Sequence, residues 1–158
     1  MRVVACGIGN IERGDDAFGP FIIDGLHEGD TLRKIDCGIH PENYLNVIVS
    51  HSPDIVLFFD TIRQGEKESV LLRNDEIARK APPSVSGHCL SLAAMYEFLR
   101  ENGVKDILFL GVPVQSYSQI SPGVRAVADR LISALNNVDN MHGLDIIKMY
   151  EVLSEQLR

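Results

Sequence analysis

The chain has 158 residues, 45% of them hydrophobic, and a formal charge of −7. That length suits one domain, expected to span residues 1–158 and to hide roughly 70% of its unfolded surface. No lysine or arginine cluster supplies the cationic surface that nucleic acid or anionic lipid requires, so the expected partner is a small molecule or a protein.

The first ten residues, MRVVACGIGN, hold an apolar run too short for a signal peptide or a membrane span. Cys6, Cys37 and Cys89 are odd in number and scattered, unlike the disulfide framework of a small secreted domain. The expectation is a soluble protein of the reducing cytoplasm, with no membrane insertion.

In chain order, Arg2 to Cys6 is a β-branched run that ends in glycines and reads as a strand. From Asp16 to His27, Phe18, Ile22 and Leu26 recur at helical spacing. Thr31 to Asp36 is a weaker strand, and Pro41, a residue favoured in a first turn, starts a second helix. Asp54 to Asp60 (DIVLFFD) reads as a strand buried on both faces. The link to the next strand, Ser69 to Arg73, is too short for a crossover helix, so that strand is expected to run antiparallel.

A helix from His88 to Asn102 carries Leu92, Tyr96 and Leu99 on one side and stops at Asn-Gly. Asp106 to Val112 is the fifth strand. Ser121-Pro122 opens a helix whose apolar stripe is Val124, Ala128, Leu131 and Leu135. A last helix, within residues 143–158, carries Ile146, Tyr150, Leu153 and Leu157 in register. The fold class this implies is α/β: a three-layer, doubly wound, mostly parallel five-stranded sheet with one antiparallel strand and helices on both faces.

Open sheets of this kind bind ligands beyond the carboxyl ends of their parallel strands. Segments 7–20 (GIGNIERGDDAFGP), 36–43 (DCGIHPEN), Asp60-Thr61 and 113–123 (PVQSYSQISPG) fall there. Gly7 and Gly9 lack the third glycine of a dinucleotide fingerprint and the Gly-Lys-Ser/Thr of a P-loop, so nucleotide binding ranks last. Asp15 and Asp16 begin a helix, where capping is the expected role for at least one of them. Asp60 ends an apolar strand, where a carboxylate needs a cation, a donor or a metal. His88 reads as a solvent-facing helix start unless it meets the two acids, which its place before the fifth strand allows. Two carboxylates and an imidazole would suit nickel, zinc or another divalent transition ion and leave coordination positions open. A competing reading makes Cys37 or Cys89 a thiol nucleophile with His88 as base.

These segments together resemble the hydrogenase maturation endopeptidases, which remove a C-terminal extension from hydrogenase large subunits. GIGNIERGDDAFGP is similar to the family's N-terminal signature, and DCGIHPEN, Asp60-Thr61 and SVSGHCLSL are similar to its later segments. The likeness runs from Arg2 to about Leu135. It implies that Asp16, Asp60 and His88 are metal ligands and the catalytic group. It further implies that nickel arrives within the large-subunit precursor, zinc or another divalent ion being able to take its place in the isolated protein. Gly7, Gly9, Asn10 and Asp36 rank second, the glycines admitting substrate and the polar pair orienting the site. Cys37 stands where the family usually has glycine, Ala17 replaces a frequent glycine, and Gln115 lies where an acid is common. A non-catalytic nickel-binding module on the same fold is the alternative to an enzyme.

Overall fold

A computed structural model describes residues 1–63, 65–81 and 90–158. Its centre is a five-stranded sheet of β1 (Val3–Ile8), β2 (Leu32–Gly38), β3 (Ile55–Ile62), β4 (Val70–Arg73) and β5 (Asp106–Pro113), in the order β2-β1-β3-β5-β4. β1 pairs in parallel with β2 and β3, and β3 with β5. β4 alone runs antiparallel, against β5, as the short link before it requires.

Helices cover both faces. α1 (Phe18–Gly25), α5 (Pro122–Leu135) and α6 (Ile146–Gln156) close one core, with Phe18 and Phe59 fully buried and all four residues of the expected α5 stripe inside. α2 (Leu45–Ser50), α3 (Asp75–Lys80) and α4 (Leu92–Glu101) close the other around Phe58, Ile48 and Leu99. β3 is buried along its whole length because both cores press on it. Each large side chain so enclosed contributes about 1.5–3 kcal/mol relative to exposure. Among the described residues no helix is long and apolar enough to cross a membrane.

The elements differ from expectation mainly at their starts. The helix expected from Asp16 is preceded by a 3₁₀ turn, Gly14–Ala17, and neither Asp15 nor Asp16 caps it, since both carboxylates are bound elsewhere. The helix expected from Pro41 likewise opens with a 3₁₀ turn, Pro41–Tyr44. α4 starts at Leu92 and is capped by Ser91, which accepts a hydrogen bond from the Ala94 amide at 3.1 Å; His88, from which this helix was expected, lies outside the described residues. α3 has no counterpart in the sequence reading; its six residues bury only Ile77, too little for a periodic signal.

Candidate active site

From β1 the chain passes outward to β2 and then returns across β1 to β3 on its other side, so the winding reverses between β1 and β3. At such a reversal the loops leaving the strand ends diverge and leave a crevice. Asp16 follows β1 and Asp60 lies near the end of β3, which brings two of the expected residues to this one point.

Thr61 joins them. Its side-chain hydroxyl donates to Asp16 Oδ1 at 2.9 Å, and its backbone N–H donates to Asp60 Oδ1 at 2.7 Å. Both carboxylates are 1% exposed, and Thr61 is fully buried. Asp16 Oδ2 in turn accepts the Asn10 backbone N–H at 3.1 Å. The side chain of Asn10 accepts from the Glu12 amide at 2.9 Å and so shapes the loop that presents this N–H. The Asn10 peptide thus helps to hold Asp16 in place. Donors aimed at a carboxylate fix its direction.

The glycines serve the same loop. Gly9 has φ 144°, and a Cβ there would lie 1.9 Å from the Asp16 carbonyl oxygen. A Cβ on Gly7 would meet the Gly19 carbonyl oxygen and the Ile23 side chain, each at 2.5 Å. The close approach these glycines permit in the structure is to the chain's own α1 and Asp16 segment.

Asp15, adjacent in sequence, faces a different partner. Its Oδ2 accepts the Gln115 and Ser116 amides at 2.8 and 2.9 Å and the Ser121 hydroxyl at 2.7 Å, while Oδ1 accepts the Ser121 amide at 2.6 Å. The Asp15 amide donates to the Ser116 carbonyl at 2.8 Å. One fully buried carboxylate thus fastens the β5–α5 loop to the β1–α1 loop. Ser121, placed by sequence as a helix cap, holds that position without capping through its side chain; its hydroxyl is spent on Asp15. Sequence reasoning missed this clamp, although the acidic pair and the Ser-Pro start were both visible.

Asp36 is exposed and turns back on itself, accepting the Gly38 amide at 3.0 Å; no hydrogen bond to Asp16 or Asp60 is formed. It lines instead a cleft of about 670 Å³ between α1, the β1–α1 loop and residues 118–120. Cys6 and Cys37 are free and buried on the opposite face of the sheet from α1. Burial, together with a hydrogen bond to and the charge of Cys37, holds the Cys6 thiol well above its ordinary value. Cys37 is buried in the core with Cys6 on the face of the sheet opposite α1, which favours its structural reading over the thiol nucleophile. His88 and Cys89 lie outside the described residues, and among those described no three His, Cys, Asp or Glu side chains gather around one point. What is described is a pair of ionisable carboxylates held by one threonine at the switch point, able to bind a cation or to handle a proton.

No family model matches the chain. A Methanocaldococcus jannaschii protein provisionally named a hydrogenase maturation protease is 26% identical over 148 residues, covering 85% of this chain and 86% of its own. The crystal structure of the NiFe hydrogenase maturation protease HycI from Thermococcus kodakarensis superposes with a TM-score of 0.69 at 28% identity, covering 97% of this chain and 92% of that one. The hydrogenase-maturating endopeptidase HybD of Escherichia coli has a TM-score of 0.69 at 25% identity, over 84% of this chain and 88% of its own. These likenesses support a processing endopeptidase role. In both sequence and fold the chain is a relative of the hydrogenase maturation endopeptidases.

Proposed function

We propose that this chain is a cytoplasmic endopeptidase that removes the C-terminal extension of a nickel-iron hydrogenase large-subunit precursor once nickel has been inserted, Asp16, Asp60 and His88 engaging the metal that the substrate carries. The observation that supports this best is the junction at Thr61, which holds the Asp16 carboxylate from the turn after β1 and the Asp60 carboxylate of β3 at the point where the winding of the sheet reverses. Like charges so close repel, and a divalent ion offered by the substrate relieves that repulsion, so docking is coupled to metal loading. A precursor without nickel leaves the repulsion in place and docks weakly.

Thr61 and Asn10 each give a single hydrogen bond to an Asp16 oxygen, and a carboxylate oxygen has two lone pairs, so Asp16 can coordinate without breaking the holding bonds. A carboxylate not engaged with the metal would take the proton of an attacking water, the role of a general base. The metal, when bound, polarises the scissile carbonyl or the water; the protein's part is to place both.

The test is mass spectrometry of a purified precursor incubated with this protein, with and without nickel. A loss of one C-terminal fragment in the nickel-loaded sample alone is the expected result, with Asp16→Ala and Asp60→Ala slowing it at least about 100-fold. Cleavage undiminished in both variants removes the carboxylates from the reaction. Tight binding of loaded precursor with no change in its mass establishes the non-catalytic module instead.

A further inference from the structure

The cleft of about 670 Å³ does not contain Asp16 or Asp60, yet it opens beside Asp16: Gly14 and Ala17, on either side of the acidic pair, are part of its wall. Its opposite wall, residues 118–120, belongs to the loop that Asp15 fastens down. The cleft is therefore preformed, and its position is tied to that of Asp16 through the neighbouring peptide.

Its surface has two characters. Pro20, Phe21 and Ile120 supply an apolar floor, while Glu12, Asp24 and Asp36 stand around it as exposed carboxylates. None of the residues lining it is cationic, and none of these three acids forms an ion pair among the described residues. The two nearby arginines are engaged: Arg13 lies 4.6 Å from the centre of the Tyr117 ring, and Arg125 lies 5.4 Å from that of Phe21 and 4.0 Å from Asp129. Ile11, at the mouth, is 70% exposed, an apolar side chain left for a partner to cover. A volume of about 670 Å³ holds several amino-acid side chains.

We propose that this cleft takes a stretch of substrate polypeptide that combines a lysine or arginine with an aliphatic residue, the cation among Glu12, Asp24 and Asp36 and the aliphatic group on Phe21 and Ile120. Charge complementarity selects that occupant: an acidic or neutral polar segment would leave the three carboxylates unpaired as water is displaced. This deepens the endopeptidase reading and rests on it for the identity of the polypeptide, which enters the cleft as it leaves the Asp16 and Asp60 crevice.

Two measurements on the full chain test it. The first is fluorescence anisotropy with labelled peptides of alternating leucine and lysine, or of alternating leucine and glutamate. The lysine peptide is expected to bind, the glutamate peptide not, and the Glu12→Lys/Asp24→Lys double variant to lose at least about tenfold in affinity at low salt, with the difference shrinking at high salt. The second is the KM for nickel-loaded precursor, expected to rise about tenfold in the same variant and to stay put in Glu97→Lys/Glu101→Lys, an equal charge change on the far side of the sheet. Equal binding of both peptides, or a rise in KM as large in Glu97→Lys/Glu101→Lys, overturns the proposal. Lysine-peptide binding that needs the cleft acids, in a protein that trims no precursor, upholds the cleft and refutes the endopeptidase reading. Precursor trimming with a KM indifferent to the double variant does the reverse.

Discussion

The hydroxyl of Thr61 lies 2.9 Å from Asp16 Oδ1, and that bond links the loop after β1 to the end of β3 inside a site closed to solvent. Thr61→Val keeps the shape and removes the donor. Partners of this kind govern the direction of a catalytic carboxylate, so precursor cleavage should fall about 10–100-fold. Thr61→Ser restores the hydroxyl and should recover most of the rate. Cleavage by the valine variant at the wild-type rate would show that Asp16 needs no help from β3.

Asp15 carries four accepted hydrogen bonds, and Asp15→Ala leaves the Gln115, Ser116 and Ser121 amides without it. Losing a buried charged hub of this kind costs on the order of 3–5 kcal/mol. Thermal unfolding should shift downward by roughly 10 °C. Ser121→Ala removes one of the four bonds and should cost about 1–2 kcal/mol. A melting temperature for Asp15→Ala within a degree or two of wild type would contradict the clamp.

Gly9→Ala tests the loop from its backbone. Both its positive φ and the 1.9 Å approach to the Asp16 carbonyl oppose any Cβ, so a destabilisation of at least about 2 kcal/mol is expected in denaturant unfolding. The lesion should also displace Asp16 and depress cleavage beyond what the lost stability explains.

Cys6 and Cys37 should resist alkylation in the native protein and react only on unfolding, since both are buried and the Cys6 thiol is held protonated. Peptide mapping after brief iodoacetamide treatment reads this directly. Cys37→Ala should keep its cleavage activity.

At the other end of the molecule Asp139 binds the Thr31 amide at 2.8 Å, and hydrogen bonds from Thr31, side chain first and backbone next, lower its carboxyl from the ordinary value. A carboxylate whose folded value is depressed stabilises the protein above its unfolded value, and loses that contribution as pH falls through the folded one. Asp139→Asn should therefore melt below wild type at pH 7 and converge with it in acid. A constant gap between the two across that range would remove Asp139 from the pH dependence.

Five strands and their pairing sense were legible because apolar runs and a link too short for a helix depend on local residues. So was α5, whose stripe is regular over fourteen residues. Legibility ended where a side chain serves a distant partner. Asp15 has the local features of a helix cap, and nothing within ten residues reveals that its donors lie about a hundred positions downstream. The start of the helix before β5 was misplaced for a different reason: Ser91, whose side chain accepts from the Ala94 amide three residues on, is a local cap that the apolar spacing alone does not reveal. Asp60 stood out because a carboxylate at the end of a buried strand is costly, and Asp16 only through the resemblance, but Thr61, the residue that touches both, is ordinary in a strand and gave no signal of its own.

Asp15 and Asp16 share a peptide bond, yet one answers to the β5–α5 loop and the other to β3. Two adjacent residues thus form a short lever, one arm resting on the wall of the cleft and the other on the carboxylate beside it. A segment that presses residues 118–120 outward is expected to shift Asp15 and, through the shared peptide bond, Asp16, so that occupancy of the cleft registers at the neighbouring carboxylate. Nuclear magnetic resonance would register this as paired shifts of the Ser116 and Asn10 amides on adding peptide, and a shift at Ser116 alone would show the lever to be slack.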